Sequence, residues 1–120
     1  MKRDMDLIRR ILIEIEEADN EPDEWIDLSF VEWSDNAVSY HIKLLHDAGL
    51  IEARDLSDLS GSDWRPTSLA WAGHEFLDAA RNDTVWNKAK QKLKDQAATV
   101  PFEVLKAVVI QTCKDYFGVN

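Results

Sequence analysis

The chain of 120 residues contains one cysteine, Cys113, which excludes an internal disulfide and any paired-thiol zinc or redox motif. Four glycines and three prolines are too few for a collagen-like or linker-rich chain, and none forms a phosphate-cradling loop. No run approaches the ~20 apolar residues of a membrane span. The nearest, Phe102 to Phe117, is interrupted by Glu103, Lys106, Gln111, Lys114 and Asp115. No apolar signal region follows Met1-Lys2-Arg3-Asp4, so a cytoplasmic protein without membrane contact is expected. The most informative absence is of base: between Ile11 and Ile42 there is no Lys or Arg.

That stretch holds ten acids, from Glu14 to Asp35, while the rest of the chain carries 13 acids and 14 bases. The net charge of −9 therefore sits at the front. From Arg81 to Lys114 seven bases face three acids, so the molecule is acidic in front and mildly basic behind. With 45% hydrophobic residues this length supports one core and not two, and five tryptophans supply large anchors for it.

Apolar spacing and breakers predict a mostly helical α+β chain. Asp4 can cap a first helix in which Met5, Ile8, Ile11, Leu12 and Ile15 form the buried stripe and Arg9, Arg10, Glu14, Glu16 and Glu17 lie mostly outside, ending near Asp19-Asn20. Trp25 to Trp33 alternates loosely and reads as a short strand or irregular turn. Ser34 or Asp35 opens a second helix with Val38, Ile42, Leu45 and Ala48 inward, closed by Gly49. Leu50–Leu56, a Ser/Asp/Gly loop, and Trp64–Trp71 predict a hairpin, with Pro66 favouring an edge. A third helix is expected over Ala72–Ala80. Asp83 or Thr84 would cap a fourth, Val85 to about Gln96, with Val85, Trp86, Ala89, Leu93 and Ala97 along one side. Pro101 would start a fifth.

The segment Ala37-Val38-Ser39-Tyr40-His41-Ile42-Lys43-Leu44-Leu45-His46-Asp47-Ala48-Gly49-Leu50-Ile51-Glu52-Ala53 resembles the recognition helix and first wing strand of bacterial winged-helix regulators. Lys2–Arg9, Tyr40–Leu45, Ala48–Ile51 and above all Leu69–Trp86 resemble a bacterial and phage family, the domain of unknown function twenty-five thirteen. The resemblance spans nearly the whole chain. It implies a winged helix-turn-helix-like domain with a β-hairpin wing and extra C-terminal helices, occurring in bacterial chromosomes, prophages and phages. It supplies no activity. Residues 1–82 would form the winged-helix core, and 83–120 a helical extension packed on it or making a dimer contact.

A winged helix of this order would offer Asn36, Ser39, Tyr40 and Lys43 to the major groove, and Arg54 and Arg65 to phosphates. A sequence-specific DNA-binding regulator is the leading expectation. Affinity for DNA comes mainly from Lys and Arg, however, and Ser34–Gly49 holds one Lys, two Asp and no Arg. The alternative is a protein-interaction module whose acidic front meets a basic protein partner. Apolar residues cover about 200° of the last helix, more than the ~100° stripe that seats a helix on a domain. Leu105, Val108, Val109, Thr112 and Tyr116 are therefore expected to make a homodimer contact.

No catalytic constellation is present, and neither enzyme activity nor a cofactor or metal is expected. His74 and Asp78 stand one helical turn apart without a third ligand, so His74 is expected to be buried with one hydrogen bond, as is His41. Cys113 reads as a small core or interface residue. Lys88, Lys90, Lys92 and Lys94 straddle an apolar stripe and read as a solvated face. Trp71 and Trp86 are expected to knit the C-terminal helices to the core. Trp64, at the base of the hairpin, is the aromatic expected to touch a partner if it is exposed.

Overall fold

Asp4 opens the first helix by accepting the N–H groups of Asp6 and Leu7 on its Oδ1. In the computed structural model, which describes residues 1–94, 96 and 99–119, α1 then runs Met5–Glu17. It is followed by α2 (Asp35–Asp47), β1 (Ile51–Asp55), β2 (Trp64–Leu69), α3 (Trp71–Ala80), α4 (Asp83–Leu93) and α5 (Phe102–Phe117). The fold is a mostly helical α+β arrangement of five helices and one antiparallel hairpin. Among the described residues no helix is long and apolar enough to cross a membrane.

Helix α1 is the centre of the core. Met5, Leu7, Ile8, Ile11, Leu12 and Ile15 are all buried, covering more of the helix than one stripe, because α2, α3 and β2 surround it. Val38, Ile42 and Leu45 of α2, Leu50 and Ile51 of the hairpin, and Phe76, Leu77 and Ala80 of α3 meet it. Arg9, expected outside, is 9% exposed. Its guanidinium donates to the carbonyls of Ala80 and Arg81 at 2.7 Å and pairs with Asp83, where α3 ends and α4 begins. Spacing alone could not show this, since the covering element lies more than 70 residues away.

Ser34 caps α2 by accepting the N–H of Ala37. Its other end closes as a Schellman turn: Leu50 N–H donates to the Leu45 carbonyl, Gly49 N–H to that of His46, and Gly49 takes φ +78°. The hairpin pairs Ile51 with Leu69 and Asp55 with Trp64, with a bulge that leaves Thr67 unpaired. The Thr67 hydroxyl instead donates to the Glu52 carbonyl.

Residues 18–34 form neither helix nor strand. The segment follows the outer edge of β2, where Ile26 N–H donates to the Pro66 carbonyl and Asn20 Nδ2 to that of Thr67. Pro66 has no N–H to return, so a third strand cannot build there. This settles the choice between strand and irregular turn for Trp25–Trp33.

Asn82, not Asp83 or Thr84, caps α4 by accepting the Val85 N–H. Ala97, expected on the α4 stripe, lies outside the described residues. Trp86 is buried, meets Phe76 edge-on, and donates from Nε1 to Asp6, so it joins α4 to α1 as expected. Trp71 does not share that role: it is 79% exposed at the start of α3. Helix α5 folds back on α4 and α3 and buries Leu105, Val109 and Thr112 within the chain. These three are thereby corrected as dimer contacts; Val108 is half-buried and Tyr116 exposed.

Candidate binding face

Of the residues expected to read DNA, Asn36, Ser39 and Arg65 line one cleft between α2 and the hairpin, Arg54 lies apart in a hollow with Asp23, Glu24 and Trp25, and Tyr40 and Lys43 line neither. Asn36 stands exposed in the first turn of α2. Ser39 does not reach solvent: it is buried, its Oγ accepts the Trp64 N–H at 2.8 Å and lies 3.1 Å from the Ser62 hydroxyl, tying α2 to the hairpin. Tyr40 is half-buried, edge-on to His41. Lys43 is exposed but pairs at 3.0 Å with Asp47 one turn on, which raises the Lys43 ammonium and, with His46, lowers the Asp47 carboxyl. Arg54 donates to the Asp23 carbonyl. Arg65 makes a two-pronged contact with Asp63, which raises its guanidinium further, and lies 4.4 Å over the Trp25 ring. Lys43, Arg54 and Arg65 are thus each engaged inside the chain.

Between the start of α2 and the hairpin lies a cleft of about 490 Å³ whose lining includes Asp27, Asp35, Asp58 and Asp63, against the single base Arg65. Asp58 is occupied in the hairpin turn, where it accepts the N–H and hydroxyl of Ser60, and these bonds lower its carboxyl. Asp27 and Asp35 are exposed. Apolar side chains border the acids: Leu56 lines the cleft, and Leu59, between Asp58 and Ser60 at the hairpin tip, is fully exposed. Trp64 is half-buried against His46.

A model of a family described as a hypothetical protein, DUF2513, matches residues 2–99. The chain belongs to this family. The match takes in the whole α2–hairpin face and stops before α5. An uncharacterized protein of Haemophilus influenzae is 42% identical over 108 residues, which is 90% of this chain and 92% of that relative. No solved structure matches.

The two histidines read as alike from sequence differ in the structure. His41 is 1% exposed; its Nε2 accepts the Asp4 N–H at 2.8 Å, so the proton sits on Nδ1 and is donated to the Ala37 carbonyl. His74 is exposed on α3, a correction to its expected burial. Among the described residues no three His, Cys, Asp or Glu side chains are grouped to hold a metal ion. The lysines of α4 are more than a solvated face: Lys90 pairs with Asp6, Lys92 donates to Thr112, and Lys88 lies over Tyr116. Sequence reasoning missed the Asp27/Asp35 cleft as a unit, although the uninterrupted acid run pointed to that part of the chain.

Proposed function

We propose that this chain is an interaction module of winged-helix type whose α2–hairpin face docks a basic segment of a partner protein. Support for the winged-helix type is the succession helix, helix, hairpin, helix over α1 to α3, with α4 and α5 as the C-terminal extension; residues 18–34 supply no further helix between α1 and α2. The observation that carries the reading is the cleft: four aspartates line the place where a groove reader would present cations, and its one arginine is already bound by Asp63. Duplex DNA brings about one negative charge per 1.7 Å of helix axis to such a surface and is repelled. A Lys- or Arg-bearing peptide is attracted, and Leu56 and Leu59 give its apolar side chains a place to rest.

The competing reading, a sequence-specific DNA-binding regulator, draws support from exposed Asn36 at the start of α2 and exposed Lys43. Parallel selections on the full chain distinguish the two: a randomised peptide library and randomised duplexes, both at low salt. Enrichment of basic peptides, with binding weakened about two- to fivefold by either Asp27→Asn or Asp35→Asn, supports docking. Enrichment of a duplex motif that Asn36→Ala relaxes and Lys43→Ala weakens on every sequence overturns it in favour of DNA.

A further inference from the structure

A second surface lies on the opposite side of the sequence, in a groove between α3 and α5. Its floor is Ala79, Ile110 and Cys113. One wall is acidic, Glu75 and Asp78 of α3; the other is basic, Lys106 and Lys114 of α5. Asp78 is shared with Arg81, whereas Glu75, Lys106 and Lys114 make no ion pair among the described residues. Trp71 extends the acidic wall by one turn, because 71, 75 and 78 share a helical face, and it is the most exposed tryptophan of the chain.

We propose that this groove is where two copies of the chain pair, about a two-fold axis running along the groove. Two copies meeting face to face must have their two-fold axis in the plane of contact. An axis across the groove would set acid wall on acid wall and base on base, and like-charge juxtaposition of this kind disfavours association. An axis along the groove sets each acid wall on the partner's base wall, and lets the floor residues meet their own counterparts. The groove is therefore self-complementary in only one of these two orientations. The exposed Trp71 then lies against the partner's lysine wall, where an indole is a strong anchor through its area and its cation-binding face. This replaces the expected contact through Leu105, Val109 and Thr112, which the chain itself covers.

Sedimentation of the full chain over a range of concentrations tests the pairing. A monomer–dimer equilibrium is expected, with the dimer dissociation constant raised about tenfold or more by Lys106→Glu or by Glu75→Lys, and lowered again when both reversals stand in one chain. Trp71→Ala should weaken it as well. Because the axis brings floor residues opposite their counterparts, a bis-maleimide cross-linker should join two copies through Cys113, and Cys113→Ser should abolish the link. All four positions are wholly or partly exposed, and an unchanged circular dichroism spectrum shows that each variant still folds. A monomer at every concentration, a dimer indifferent to both reversals, or a double variant no better than the singles overturns the proposal. A charge-sensitive dimer that never links through Cys113 overturns the axis.

Discussion

At the scale of single residues, Arg9 joins distant parts of the chain. Its guanidinium caps the carbonyl end of α3 through Ala80 and Arg81, holds Asp83 in the first turn of α4, and lies 5.7 Å from the Trp86 ring centre. A planar fork with several donors can serve all these partners together, and a lysine ammonium cannot. Arg9→Ala leaves two helix-end carbonyls without a protein donor and Asp83 without its cation. We expect a loss of about 3 kcal/mol in urea unfolding, with Arg9→Lys recovering only part of it. A loss under about 1 kcal/mol would mean that water replaces the contacts freely. Asp4 plays a similar part on the other side of α1. One carboxylate oxygen caps the helix, the second accepts Trp33 Nε1, and its backbone N–H donates to His41.

At the scale of elements, α3 comes close, at Gly73, to the turn that ends α2. A Cβ added to Gly73 would lie 2.1 Å from the Leu50 carbonyl oxygen, a backbone atom that already accepts the Ala70 N–H and cannot turn aside. Gly73→Ala should therefore destabilise by about 1–3 kcal/mol by forcing α3 off the hairpin, although alanine is the better helix former. Chemical denaturation measures this directly, and a stabilised variant would show that α3 can shift without loss. The elements themselves were readable because their signals are local: Asp4 and Ser34 as caps, Gly49 as a C-terminal turn, and Ser, Asp and Gly between the hairpin strands. The unread features are those fixed by contact across the chain. Gly73 looks like any helical glycine, Arg9 like any charged surface residue, and Trp71 like any buried anchor, until α3 and its neighbours are placed. For the same reason Asn36, Ser39 and Lys43 could be placed on α2, and Arg54 and Arg65 on the hairpin, from the sequence. Their internal partners, Trp64, Asp47, Asp23 and Asp63, could not.

At the scale of the whole molecule, the C-terminal helices are not an appendage. Trp86, Ala89, Leu105 and Val109 belong to the same buried cluster as α1, and the polar seam between α1 and α4 centres on Asp6. Its Oδ1 accepts Trp86 Nε1 and Lys90 Nζ, both at 2.8 Å. Burial alone would push the Asp6 carboxyl up, but the hydrogen bonds from Lys90 and Trp86, with the charges of Lys90 and Arg9, outweigh it and hold the carboxyl below its usual range. A carboxyl lowered in the folded state contributes stability above its unfolded value, and that contribution disappears as the pH falls through the folded value. Asp6→Asn keeps an acceptor for the indole but removes the charge that holds Lys90. The stability gap between the native chain and this variant should thus be widest near neutrality and should close as the pH is lowered through and below the usual carboxylate range. Urea midpoints measured across that range test it. A gap that stays constant to the lowest pH would show that the seam holds through the Trp86 hydrogen bond and packing, with no contribution from the ion pair.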